Sequence, residues 1–181
     1  MTGSTESHRT QAADHAETRE VRCAVLTISD TRTLETDKGG DTVVAELEAG
    51  GHAVVARALV PDEAVDIRAK LFELLADPEV QAVITTGGTG IANRDTTIDV
   101  AREVMTIELE GFGELFRMLS YEEVGAAAML SRATAGLVCP NDEAIGETFL
   151  FCLPGSTNAV WLGMRKLIVP ELSHLVWERQ R

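Results

Sequence analysis

The sequence predicts an α/β layered fold built on a largely parallel sheet, and three observations carry that expectation. Short apolar runs rich in β-branched residues alternate with amphipathic helical patterns through the first half of the chain. Two later apolar runs flank turn residues as the arms of a hairpin do, which adds an antiparallel member at one edge of the sheet. The third early run empties into Gly87-Gly88-Thr89-Gly90 and then a helical pattern, a junction well suited to holding a ligand.

The elements follow in order. Residues 1–20 are polar, charged and aperiodic and read as a disordered tail, which leaves 21–181 as a single domain. Cys23 to Ile28 is a first strand, ending in Ser29-Asp30-Thr31-Arg32. Asp41 opens a helix with Val43, Val44 and Leu47 inward, and Gly50-Gly51 stops it. Ala53 to Val60 is a second strand. Pro61-Asp62 then starts a helix whose apolar face is Ala64, Ile67, Leu71, Leu74 and Leu75. The third strand, Ala82 to Thr86, feeds the glycine loop, and Asp95 opens a helix burying Ile98, Ala101, Val104 and Met105. Gly111-Phe112-Gly113-Glu114 leads into a helix with Leu115, Met118 and Leu119, and the alanine-rich stretch Glu122 to Leu130 reads as another. Ala135 to Cys139 and Thr148 to Leu153 are the hairpin arms, joined through Pro140-Asn141-Asp142-Glu143. The second arm runs into Pro154-Gly155-Ser156-Thr157-Asn158, at the head of a helix that includes Trp161, Leu162 and Leu167.

A chain of 181 residues, 45% hydrophobic and 25% charged, has the make-up of one globular domain with a full core. Its formal net charge of −13 argues against a nucleic-acid surface. For a phosphate ligand the same charge demands local attraction, from loop N–H groups, helix dipoles, a few arginines and Mg²⁺. Cys23, Cys139 and Cys152 sit in apolar runs without C-x-x-C spacing and read as reduced, buried thiols. The four histidines, His8, His15, His52 and His174, have no metal-ligand spacing. Without a secretory h-region or a bilayer-length apolar run, a cytoplasmic protein is expected.

The glycine loop is not one of the widely shared phosphate signatures. A Walker loop needs Lys-Ser/Thr after its last glycine, where Ile91-Ala92 stands, and a dinucleotide fingerprint from Gly88 and Gly90 needs a glycine at Asn93. A simple tight turn is the bland alternative. Arg94-Asp95 tilts the balance, because it places a cation and a carboxylate where phosphates, or a metal bound to them, would sit. In a parallel sheet the loops at Ser29-Asp30, Pro61-Asp62, Gly87 to Asp95 and Pro154 to Asn158 share one rim, where carboxylates and amides can hold Mg²⁺ against a nucleotide. Each residue also has a plainer role. Asp62 and Asp95 precede helices, where Asp is a preferred N-cap, Asp30 suits a turn, Arg94 suits a solvated surface, and Gly155 suits a close loop–helix approach.

Thr85 to Gly90 with Arg94-Asp95, Glu110-Gly111-Phe112-Gly113-Glu114, Leu153-Pro154-Gly155-Ser156, the Ser29-Asp30 strand end and Pro61-Asp62-Glu63 together resemble the molybdenum-cofactor biosynthesis proteins of the MoaB/MogA type. The likeness runs from Val21 to Val176 in the right order. It implies a three-layer α/β/α domain that binds molybdopterin and ATP, transfers AMP to the pterin's terminal phosphate and releases pyrophosphate. It further implies that Asp62 and Asp95 are catalytic and hold or orient the Mg-nucleotide. Thr86 to Gly90 and Arg94 would cradle phosphate, and Ser29, Asp30, Pro154, Gly155 and Ser156 would line the pocket. A homo-oligomer, trimer or hexamer, is implied as well, and the Phe112, Leu115, Phe116, Met118, Leu119 segment carries more apolar surface than one helix face needs.

Two features bear on activity within the family. The segments after Gly111 and Pro154 are closer to the MoaB branch, some members of which lack adenylyl transfer, and Asn158 stands where many relatives carry lysine. Asp62, in contrast, is an aspartate that inactive members lack. The rival expectations are a molybdopterin-binding protein without catalysis and a CinA-like hydrolase of a nucleotide pyrophosphate. Against the latter, Thr89 stands where that group has leucine, and Arg94 precedes a single aspartate.

Overall fold

The computed structural model describes residues 20–92, 95–139 and 146–180. Strand β1 (Arg22–Ile28) pairs in parallel with β2 (Ala53–Val60) on one side and β3 (Ala82–Thr86) on the other. Beyond β3 lies β6 (Thr148–Leu153), also parallel. β5 (Thr134–Val138) runs antiparallel to β6, as expected for a hairpin pair, and the turn at 140–145 lies outside the described residues. Outside β5 the sheet gains a further strand that the sequence reading did not include, β4 (Ile107–Glu108), giving the order β2-β1-β3-β6-β5-β4. Two exposed residues are too few to show a period-2 alternation, so no pattern announces β4.

Alternation along the strands sorts the apolar side chains into two cores. Cys23 and Val25 of β1, Ala82 and Ile84 of β3, and Phe149 and Phe151 of β6 face one side. There they meet α1 (Lys38–Ala49), α4 (Glu110–Val124), α5 (Thr157–Gly163) and α6 (Val169–Gln180) through Val43, Leu47, Phe116, Val160 and Leu172. Ala24, Leu26, Ile28, Val83, Leu150 and Cys152 face the other side, against Ile67, Leu71 and Leu74 of α2 (Ala64–Leu75) and Ile98 and Ala101 of α3 (Thr97–Val104). The result is the expected three layers, with α1, α4, α5 and α6 on one face and α2 and α3 on the other. A π-helical turn, Met164–Ile168, joins α5 to α6. Among the described residues no helix is long and apolar enough to cross a membrane.

Several boundaries move. α1 begins at Lys38 rather than Asp41, because Asp37 caps it with its side chain on the Gly40 N–H at 2.9 Å. α2 begins at Ala64 with Glu63 at the capping position, and α3 begins at Thr97 with Thr96 there. Asp62 and Asp95 are therefore not the N-caps of these helices, which removes their plainer role. α4 continues through Val124, so the stretch after it holds only a tight 3₁₀ turn, Gly125–Leu130, instead of a separate α-helix. Cys23 and Cys152 are buried, with burial pushing both thiols up to about 12, whereas Cys139 is only half-buried and departs from the buried-thiol expectation.

Candidate functional site

The strand order turns back on itself between β1 and β3, since β1 leads to β2 on one side and β2 crosses over to β3 on the other. At such a switch point loops diverge and leave a crevice beyond the carboxyl ends of the strands. Matched register brings those ends level, with Ile28 beside Val60, Thr27 beside Thr86, and Thr86 beside Leu153. The four loops expected on one rim do share it.

Glycine is needed at two points of the loop. Gly87 has φ +103° and Gly88 φ +60°, a region that side chains avoid. A Cβ on Gly87 would run into the Ile28 carbonyl, and one on Gly88 would overlap Thr97 Oγ1 and stand 3.0 Å from Asp62 Oδ1. Gly155 is tight for another reason: its Cβ would lie 3.3 Å from Gly87 Cα, so the last loop packs on the glycine loop and not merely on its own helix. Thr86 Oγ1 donates to the Pro154 carbonyl at 3.1 Å, fastening the same two loops. Among the described residues the N–H groups of Gly88, Thr89, Gly90 and Ile91 have no partner.

Asp62 is held from both sides. Its backbone N–H donates to Asp30 Oδ1 at 2.9 Å, and on the carboxyl side the nearby Thr96 N–H, at the head of α3, pulls its pKa down. Asp62 Oδ1, Thr96 Oγ1 and Thr97 Oγ1 are nevertheless buried without a hydrogen-bond partner among the described residues. Leaving a buried polar atom unpaired costs about 1–3 kcal/mol, and these three, clustered by the glycine loop, find no partner among the described residues. Burial, then the nearby Asp95 charge, pushes the Asp62 carboxyl above its ordinary value, against the pull of the Thr96 N–H. Asp95 folds back on its loop, its Oδ2 accepting from the Ala92 N–H at 2.8 Å.

Other predicted residues shape the rim rather than face it with free groups. Ser29 Oγ accepts from the Arg32 N–H at 3.2 Å, and Ser156 Oγ accepts from the Ala159 N–H at 3.3 Å as the cap of α5. Thr89 is buried. Arg94 lies outside the described residues, as do the tail at 1–19 and Asn93. Asn158 donates to Glu123 Oε2 at 2.6 Å, which ties α5 to the end of α4.

Sequence reasoning missed four contributors. Thr97 supplies one of the orphaned oxygens. Arg32 spans the rim, donating to the Gly155 carbonyl at 2.9 Å, 123 residues away in sequence. Asp37 is 0% exposed and takes hydrogen bonds from Thr27 Oγ1 at 2.6 Å, Gly40 N–H and Arg57 Nη2 at 3.1 Å. Burial alone would raise its pKa, but these partners outweigh it and hold the carboxyl below its ordinary value. Arg132 grips the glycine loop, its Nε donating to the Gly90 carbonyl. Only Asp37 had a local signal, as Asp-Lys-Gly-Gly ahead of a helical pattern.

Residues 24–174 match the family model described as "Probable molybdopterin binding domain". The chain belongs to the MoaB/MogA family of molybdenum-cofactor biosynthesis proteins. It is 50% identical to the molybdenum cofactor biosynthesis protein B of Staphylococcus carnosus over 88% of this chain and 91% of that protein. It is 46% identical to the protein of the same name from Bacillus subtilis, covering 97% and 96% of the two chains. A crystal structure of the tungsten cofactor synthesizing protein MoaB from Pyrococcus furiosus superposes with a TM-score of 0.80 at 36% identity, covering 90% of this chain and 99% of that one. Membership in the MoaB/MogA family spans the whole rim, from Ser29 to Ser156.

Proposed function

We propose that this protein takes part in molybdenum cofactor biosynthesis in the cytoplasm by transferring AMP from Mg-ATP to the terminal phosphate of molybdopterin. In that reaction a pterin phosphate oxygen attacks the α-phosphorus of ATP. The new P–O bond forms as the bond from the α-phosphorus to the bridging oxygen breaks, and pyrophosphate leaves. Such a step requires little covalent help from the protein; it requires two anions held in line and charge stabilised at the α-phosphate.

One observation carries the reading: the orphaned Asp62 Oδ1 and Thr97 Oγ1 lie together beneath the bare Cα of Gly88, with the Asp95 charge close by. This donor set is hard oxygen throughout, as Mg²⁺ prefers. Mg²⁺ bound there would supply neutralisation of phosphate charge. The chain's own part is to orient: Asp30 fixes Asp62, the glycine loop offers its amides, and Arg32 and Thr86 hold the 154–156 loop against it.

The same reading includes a homo-oligomer, trimer or hexamer. Phe112 and Phe116 turn out to pack inward, with Phe112 edge-on to Phe151 at 5.6 Å. Leu115, Met118, Tyr121 and Val124 form an exposed stripe on α4, extended by Met129 and Leu130, which supports self-association through that face.

The deciding experiment is pyrophosphate release by the purified protein with molybdopterin, ATP and Mg²⁺. Release that needs all three supports the transferase. Tight molybdopterin binding with no release would leave a binding protein, and pyrophosphate-bond cleavage without molybdopterin would leave a hydrolase.

A further inference from the structure

Arg132 follows the 3₁₀ turn and precedes β5, far in sequence from the glycine loop, yet most of its polar groups are spent on that loop. Nε donates to the Gly90 carbonyl at 2.7 Å, Nη2 donates to the Asp95 carbonyl, and the backbone N–H reaches the Thr89 carbonyl at 3.4 Å. Nη1 sits on the Asp99 carboxylate of α3 at 3.2 Å, which braces the guanidinium from the helix below. Only a planar fork with several fixed donors can address these acceptors at once.

The consequence lies on the far side of each peptide. In a trans peptide the carbonyl of one residue and the N–H of the next point in opposite directions. Drawing the Thr89, Gly90 and Asp95 carbonyls toward Arg132 therefore turns the N–H groups of Gly90, Ile91 and Thr96 away from it. The Thr96 N–H lies near enough to Asp62 to pull its carboxyl pKa down, and those of Gly90 and Ile91 have no partner among the described residues. One residue thus aims all three amides: its side chain sets those of Ile91 and Thr96, and its backbone N–H sets that of Gly90.

We propose that Arg132 is the positioning residue of the glycine loop, setting the direction of the Ile91 amide through its side chain and of the Gly90 amide through its backbone N–H for a nucleotide phosphate. The nucleotide rests on the function proposed above; the orientation of the loop does not.

The test uses the full chain with Arg132→Lys, which keeps the charge and loses the fork. Hydrogen exchange measured by NMR should rise about tenfold at the hydrogen-bonded amides of Ala92, Asp95 and Thr97, and stay unchanged over β1. The KM for Mg-ATP should rise about tenfold, roughly the loss of one well-aimed hydrogen bond, while molybdopterin affinity and Tm hold. Unchanged loop exchange would overturn the proposal, and so would a loss of stability that accelerates β1 and the loop alike. If Arg132→Lys fails to fold, Asp99→Asn, which loosens the brace alone, must still raise loop exchange relative to β1 or the proposal falls. A parent protein that binds no Mg-ATP would sink the transferase reading, and loop exchange in the variant would still decide the role of Arg132.

Discussion

The Asp62 backbone N–H donates to Asp30 Oδ1 at 2.9 Å, so the loop after β1 sets the position of the carboxylate after β2. Neither residue caps a described helix, and Asp62 presents an oxygen without a partner among the described residues, beside Thr97 and Gly88. That arrangement is what the proposed Mg-nucleotide function requires of this rim.

Asp62→Asn should lower turnover by on the order of a hundredfold, the scale of losing one preorganised electrostatic contact, and Asp95→Asn by at least as much. The stability effect should have the opposite sign. The folded Asp62 value is raised above the ordinary 3.8, so its ionised form is disfavoured in the fold. That cost is absent below about 3.8, grows as pH rises through the folded value, and is fully present at neutral pH. Without Mg²⁺ and nucleotide, Asp62→Asn should therefore melt higher than wild type at neutral pH, and the gain should vanish in acid. Thermal scans across pH would show this; a variant that melts lower at neutral pH would mean the carboxylate is satisfied by the fold.

Gly88→Ala should abolish Mg-ATP binding. The added methyl meets Thr97 Oγ1 and Asp62 in a backbone region with φ +60°, and such strain costs about 1–3 kcal/mol. Calorimetric titration with Mg-ATP checks the binding, and near-wild-type affinity in a folded variant would displace the cradle from Gly88.

Asp37→Ala should destabilise by about 2–3 kcal/mol, because it removes a helix cap and leaves the buried Thr27 hydroxyl without its acceptor, while Arg57 keeps its ion pair with Asp41. Asp37→Asn keeps the cap and should cost less. The folded Asp37 value lies below 3.8, so its contribution is fully present above that value and is lost as pH falls below it through the depressed folded value. Urea midpoints for wild type and Asp37→Asn should therefore converge in strong acid.

Met118→Glu combined with Met129→Glu should shift sedimentation toward monomer while leaving Tm of the monomer intact, since both side chains are exposed, Met129 at 75%. An unchanged oligomer would move the interface away from α4, and a monomeric parent would remove it.

The strands, the helical faces and the glycine loop were legible in the sequence because they are local. Period-2 and helical spacing place Val25, Ile84, Ile67 and Leu71 in the core without any knowledge of neighbours. The run Thr85 to Gly90 announces a strand ending where the backbone must take φ > 0. What tertiary structure alone decided is which distant groups converge there. Asp62 and Asp95 looked like N-caps because each stands just ahead of a helix, and only the fold shows Glu63 and Thr96 in those places. Arg32 meets Gly155, and Arg132 meets Gly90 and Asp99, across 123, 42 and 33 residues. No local period encodes such pairings, since a guanidinium selects its carbonyls and carboxylates by position in space, and strand order and register, rather than chain distance, bring them within reach.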